Sequence, residues 1–239
     1  MSLSDQRVVI LGGTSGIGLA TARLAARHGA EVTVASSNPA SVERALGELP
    51  AGTQGLVTDL TDADAIASFF DKVGDVDHLV YTAGEPLTLM RLDDLDLTAA
   101  RNFFTLRYFG ALASVSAAVP HLRDGGSIVL TTGIAAQRPG PGWAVAAGIC
   151  GAVNSMVRAM AVELAPLRVN AVSPGVVRSP LWSAMSEQDR EALYAETAAS
   201  IPLARVGEVD DIAEAYLFLM RQRFATGTIV TVDGGTVLA

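Results

Sequence analysis

RVVILGGTSGIGLATARLAARHGA, residues 7–30, decides the fold. Arg7 to Leu11 is a short β-branched apolar run, the composition of a buried strand. Gly12, Gly13, Gly16 and Gly18 follow at once, and apolar residues then recur at helical spacing until Gly29. Strand, glycine turn and helix in that order open a dinucleotide-binding βαβ unit. Glycines let the backbone approach a pyrophosphate, which rests on the free N–H groups of the helix N-terminus. The spacing is G-x-x-x-G-x-G rather than G-x-G-x-x-G, so the strand–helix context carries much of the reading. The structural alternative is a glycine turn that serves only tight strand–helix packing.

Working outward, Glu31 to Ala35 predicts a second strand. At its end a NAD site places Asp or Glu against the ribose 2′-OH. Here the stretch is Ser36-Ser37-Asn38, with no carboxylate to repel a 2′-phosphate. NADP(H) is therefore expected in preference to NAD(H). The same residues suit an Asx turn capping a helix from Pro39, and the two roles are compatible. Arg44 is the nearest arginine on that helix. Thr53 to Thr58 predicts a third strand ending at Asp59-Leu60, with Asp59 placed to accept an adenine amino group and Thr61 or Asp62 capping the next helix. Asp77 to Tyr81 predicts a fourth, ending in Thr82-Ala83-Gly84, small enough for close contact with a ribose.

A long helix is expected over 95–122, then a turn at Asp124-Gly125-Gly126 and a central strand over 127–132. A Gly/Pro-rich loop from Arg138 to Gly142 leads into a long apolar helix ending near Pro166. Leu167 to Val172 predicts a further strand and Gly227 to Val232 the last, with a capped helix in IPLARVGEVDDIAEAYLFLM between them. Residues 182–200 are polar, helical and the least core-like. Alternating strands and helices mean one α/β domain with a parallel, doubly wound sheet. No repeat, linker or low-complexity stretch marks a second domain.

Composition narrows the function. The chain has 239 residues, a net charge of −8 and a pI near 4.8. That balance argues against a nucleic-acid groove or an anionic membrane surface as partner. No signal segment and no apolar run of membrane-spanning length is read, so a soluble cytoplasmic protein is expected. Cys150 is the only cysteine, so no internal disulfide forms, and His28, His78 and His121 lie far apart, so no metal site is expected. Lys72 is the only lysine.

The sequence resembles the short-chain dehydrogenase/reductase family over essentially its whole length. The carrying residues are GGTSGIG at Gly12–Gly18, Asp59-Leu60, Ala83-Gly84, GGSIV at Gly125–Val129, AVELAP at Ala161–Pro166, RVNAVSPG at Arg168–Gly175, IPLARVGEVDDIA at Ile201–Ala213 and VDGG at Val232–Gly235. The resemblance implies a Rossmann-like sheet of about seven strands, a substrate lid around residues 179–200, and a homotetramer or homodimer. It also implies a nicotinamide cofactor across the carboxyl edge of the strands. The expected contacts are Gly12, Thr14, Ser15, Gly16, Ile17, Gly18, Ser36, Ser37, Asn38, Asp59, Leu60, Thr82, Ala83, Gly84, Pro174, Gly175, Val177 and Ser179.

The family's chemistry moves a hydride between nicotinamide and a carbonyl carbon while a Tyr transfers the proton. A Lys four residues on lowers the phenol's pKa from its usual value near ~10. A Ser on the central strand holds the substrate oxygen, and an Asn on the long helix often completes a relay. Counted from AVEL, the Lys position holds Cys150 and the Tyr position Ala146; counted along the strand, the Ser position holds Gly133. The Asn position holds Arg107, and none of the four tyrosines has a Lys four residues later. Arg107 and Thr132 are the remaining candidates: a cation for a substrate carboxylate or oxyanion, and a hydroxyl one residue before the missing Ser. The alternative for Arg107 is a salt bridge to a neighbouring acid. Cys150 reads best as a small core residue, and Trp143 and Trp182 suit either an aromatic ligand or lid packing. The leading expectation is an atypical NADP(H)-dependent oxidoreductase acting on an unidentified small carbonyl or alcohol. The rivals are a non-redox cyclase, isomerase or dehydratase on the same scaffold, and a regulatory or inactive subunit that binds NADP(H) or a metabolite.

Overall fold

Strands and helices alternate along the chain in the computed structural model, which describes residues 2–239. The order is β1 (Arg7–Leu11), α1 (Gly16–Arg27), β2 (Glu31–Ser36), α2 (Pro39–Glu48), β3 (Gln54–Val57), α3 (Ala63–Val73) and β4 (Val76–Tyr81). It continues with α4 (Leu97–Phe104), α5 (Ala111–Ala118), β5 (Leu122–Thr131), α6 (Ala144–Glu163) and β6 (Arg168–Pro174). The last third holds β7 (Val177–Arg178), α7 (Glu187–Ser200), β8 (Gly207–Glu208), α8 (Val209–Arg221) and β9 (Ile229–Val232). Seven strands form one parallel sheet in the order β3-β2-β1-β4-β5-β6-β9, and β7 pairs with β8 beside it.

The sheet is buried on both faces, which is why its strands read as continuous apolar runs. In β1, Val9 and Leu11 face a core shared with α3, α5 and α6, while Val8 and Ile10 face one shared with α1 and α8. The strand order turns outward from β1 in both directions. The crevice at the carboxyl ends of β1 and β4 is therefore the place where such a sheet takes a ligand.

Three expectations are corrected. The helix expected over 95–122 is broken: a π turn, Thr105–Gly110, separates α4 from α5, and Val119–His121 is a 3₁₀ turn at Pro120. The cause is packing. Tyr81 Oη donates to Leu106 O at 2.6 Å, and a Cβ on Gly110 would lie 2.7 Å from that hydroxyl and 2.6 Å from Leu60 O. The turn expected at Asp124-Gly125-Gly126 lies inside β5, where the register with β4 shifts between Val76 and His78. The chain does contain a helix long and apolar enough to cross a membrane, α6, with a mean hydropathy of 1.5. Here it is a core helix, laid on the sheet through Ile149, Val153, Met156, Val157 and Met160.

Residues 182–200 are also better anchored than their polarity indicates. Trp182 and Tyr194 are each 4% exposed and pack with Val206. Trp182 Nε1 donates to Val177 O at 2.9 Å, and the Arg178 guanidinium lies 4.4 Å from the centre of the Tyr194 ring.

Candidate active site

The glycine turn between β1 and α1 fits so closely against the end of β4 that its side chains must be absent. Gly12, at φ 85°, would place a Cβ 2.5 Å from Ala83 N. A Cβ on Gly18 would lie 2.2 Å from Gly12 O and 2.5 Å from Thr82 Oγ1. The Thr82 hydroxyl reaches Leu11 O and Gly12 O, both at 3.2 Å, and so ties β4 to the turn. Ser15, at the N-cap of α1, makes no side-chain cap, which leaves the first N–H groups of the helix free of an internal partner. This is the backbone cradle a pyrophosphate requires.

Around it the expected cofactor residues separate into two groups. Gly12, Thr14, Ser15, Gly16, Ile17, Gly18, Thr82, Ala83 and Gly84 surround the turn. Ser179 lies across from it, its Cβ 3.7 Å from where a Cβ on Gly16 would be. Pro174 ends β6 and Gly175 follows it, its N–H donating to Val232 O at 2.9 Å. Leu60 and Val177 instead turn their side chains into the cores. Asp59 is exposed at the end of β3; its Oδ1 accepts from Thr61 N at 2.9 Å and Thr61 Oγ1 at 2.7 Å, which together hold its carboxyl below the usual range.

At the end of β2 the helix-capping role of Asn38 is realised: Oδ1 accepts from Ala40 N at 2.9 Å and from Ser41 N at 3.4 Å. Ser36 Oγ accepts from Asn38 N at 3.3 Å, while Ser37 stays exposed. Arg44 enters the picture here. Its Nη2 donates to Thr14 O at 3.3 Å, bringing a guanidinium from α2 to the glycine turn, beside the end of β2.

On the substrate side, Arg107 sits in the π turn with its guanidinium against Gly84, where a Cβ would lie 2.6 Å from Nη1. Its Nε is 3.2 Å from Glu85 Oε2, and Nη2 donates to the Glu85 carbonyl. The Nε–Oε2 contact is ionic only, since neither of these buried atoms has a hydrogen-bond partner. Burial pulls the guanidinium below its ordinary value, and Glu85 is the largest opposing influence, ahead of Cys150 and Tyr81. The salt bridge weighed for Arg107 therefore forms, and it brings in Glu85, a residue that sequence reasoning missed. A carboxylate directly after Gly84, together with a cation in the relay position, was the available signal.

Thr132 Oγ1 donates to Cys150 O at 3.1 Å, so its hydroxyl is engaged with α6. Cys150 Sγ lies 3.3 Å from the Cβ position of Gly133, so these two family positions do meet in space. Burial pushes the Cys150 thiol up, with the Thr132 hydroxyl and Arg107 opposing. Two tyrosines are occupied elsewhere: burial, reinforced by Glu85, raises Tyr81, and burial raises Tyr216, whose hydroxyl meets Thr131 Oγ1 at 2.6 Å. Trp143 and Trp182 pack edge-on to each other, 6.3 Å between ring centres.

Known proteins share this architecture. The family profile described as Enoyl-(Acyl carrier protein) reductase matches residues 12–237. The chain belongs to the short-chain dehydrogenase/reductase family. This family member is 36% identical over 253 residues to the short-chain dehydrogenase/reductase ATR9 of Stachybotrys chlorohalonatus, covering 99% of both chains. It is similar to the solved MalC reductase/Diels–Alderase of Malbranchea aurantiaca, with 30% identity, a TM-score of 0.91, and 99% and 97% of the two chains covered. It is also similar to a small-chain dehydrogenase solved in complex with NADPH, with 32% identity, a TM-score of 0.83, and 98% and 99% covered. The dehydrogenase/reductase sheet and its nicotinamide-binding turn are thus those of an oxidoreductase family.

Proposed function

We propose that this short-chain dehydrogenase/reductase is an atypical NADP(H)-dependent oxidoreductase of a small carbonyl or alcohol, working without the Ser/Tyr/Lys set. One observation carries the reading: the glycine cradle is intact to the ångström, while Gly133, Ala146 and Cys150 offer the substrate oxygen no ionisable phenol or amine. A bound nicotinamide supplies or accepts the hydride. Gly12, Gly16 and Gly18 admit its pyrophosphate, and the small side chains of Thr82 and Ala83 line the approach to its ribose. Ser37 and Arg44 face a 2′-phosphate, and the absence of a carboxylate at the end of β2 supports NADP(H) over NAD(H).

Arg107 acts on the substrate oxygen through charge. It stays cationic and is a poor proton donor, so it stabilises a developing oxyanion while water or the substrate provides the proton. Thr132 takes part only if its hydroxyl leaves Cys150 O, to which it donates. Residues 179–200 act as the lid, running from Ser179 beside the glycine turn and anchored through Trp182 and Tyr194. A homodimer or homotetramer belongs to the same reading, supported by exposed apolar residues such as Phe109, Leu97 and Val162, as does a cytoplasmic location.

A second reading is a non-redox reaction in the same pocket, favoured by the likeness to the MalC reductase/Diels–Alderase. Fluorescence titration with NADPH and NADH, followed by a carbonyl and alcohol screen for hydride transfer, tests the first reading. Tight NADPH binding with turnover supports it. Turnover that ignores the cofactor's oxidation state moves the assignment to the second, and absence of binding removes the first.

A further inference from the structure

A polar cavity, of about 420 Å³, opens at the end of the sheet opposite the glycine turn, beside the first residues of β4, β5 and β6. Three arginines reach it from different elements: Arg168 from the start of β6, Arg221 from the end of α8, and Arg223 from the loop beyond. Arg168 is buried and has a structural task. Its Nη1 donates to Leu219 O at 2.8 Å and its Nη2 to Met220 O at 3.0 Å, closing the last turn of α8. That task does not account for Arg221 and Arg223. Among the described residues none of the three forms an ion pair, in a chain with 25 acidic residues and a net charge of −8. Arg223 also repels Arg168: after burial, its charge pulls Arg168 down from its ordinary value. One carboxylate, Asp124, shares the rim. The buried floor includes His78, hydrogen-bonded through its two ring nitrogens to Ser127 Oγ at 2.8 Å and Gln6 Oε1 at 3.2 Å.

We propose that this cavity binds a small phosphorylated metabolite carrying at least two negative charges. Three guanidiniums against one carboxylate leave an excess of two positive charges, and guanidinium forks match phosphate oxygens. The volume lies within the ~300–1,000 Å³ typical of small-molecule sites and exceeds what a single inorganic ion fills. The cavity lies at the amino ends of the strands and the glycine turn at their carboxyl ends, so the two sites do not compete.

The test titrates inorganic pyrophosphate into the full chain by calorimetry, with citrate as a carboxylate comparison. Phenylglyoxal labelling of arginines, read by peptide mass spectrometry, locates the site in the unaltered protein. Pyrophosphate is expected to bind, to protect Arg221 and Arg223 whether or not the glycine turn also takes it and protects Arg44, and to bind this cavity about ten-fold or more weakly in the R221Q/R223Q variant. Unchanged circular dichroism of that variant keeps the loss from being one of folding. Protection of Arg44 alone, or equal binding by the variant, puts the anion at the glycine turn and overturns the proposal. So does absence of binding. Citrate binding as tightly as pyrophosphate overturns the phosphate assignment.

Discussion

Arg107 and Glu85 form a half-buried ion pair, 3.2 Å between Nε and Oε2, beside the glycine that ends the β4 loop. The pair joins the π turn to the segment after β4, so it is structural as well as electrostatic. Glu85→Gln leaves the guanidinium without its counter-charge and is expected to cost about 1–3 kcal/mol in urea unfolding. Adding Arg107→Gln recovers most of that loss. In a substrate assay Arg107→Gln alone is expected to lower kcat/KM by roughly 10²–10³ with NADPH affinity unchanged. Equal loss of stability without loss of rate would make Arg107 purely structural.

Gly18 has room for nothing but hydrogen. Gly18→Ala pushes a methyl group into Gly12 O and Thr82 Oγ1 and is expected to destabilise the domain by about 1–3 kcal/mol. NADPH binding, followed by fluorescence, should fall more than about ten-fold as the turn shifts. Gly18→Ala/Thr82→Ala should not restore binding, because the closer clash is with the Gly12 carbonyl, which remains. Restored binding would place the strain in the Thr82 side chain alone.

On the proposed NADP(H) reading, cofactor choice rests on Arg44 and Ser37. Arg44→Gln removes a guanidinium hydrogen-bonded to the glycine turn. It is expected to weaken NADPH about ten-fold or more and to leave NADH within about two-fold. Equal effects on both cofactors would show that Arg44 only supports the turn.

His78 predicts an acid-sensitive fold. Burial first, and then the Arg168 charge, lower its pKa from 6.5 to about 4. Between those values the unfolded chain holds a proton that the native protein does not, so stability falls as pH drops from 6.5 toward 4. The loss is on the order of 3 kcal/mol and is complete below the native pKa. Above 6.5 neither state is protonated and the effect vanishes. Urea unfolding at pH 7 and pH 4.5 should show a steeper acid loss for the natural chain than for His78→Gln, and parallel losses would refute the assignment.

The readable parts of this protein are those with local causes. β1 coincides with RVVIL because a strand buried on both faces is an unbroken apolar run. The start of α2 was legible in Asn38, and the start of α3 in Asp62, which caps it through Asp64 N and Ala65 N. The glycine turn was legible because positive φ and close backbone approach leave few other residues possible. The π turn was not, because it depends on Tyr81 and Leu60, each more than twenty residues away in sequence. Nor was the anchoring of residues 182–200, whose polar composition hides the buried pair Trp182 and Tyr194.

The order of residues alone was enough for the parallel doubly wound sheet, the family and the location of the glycine turn, since periodicity, capping and glycine content act over a few residues. Folding was needed to pair Arg107 with Glu85, to bring Arg44 to Thr14 and to tie the Thr132 hydroxyl to α6. It was needed again to gather Arg168, Arg221 and Arg223 around one cavity. Charge interactions and cavities depend on distance in space, and the sheet's crossovers bring together residues that the chain keeps far apart.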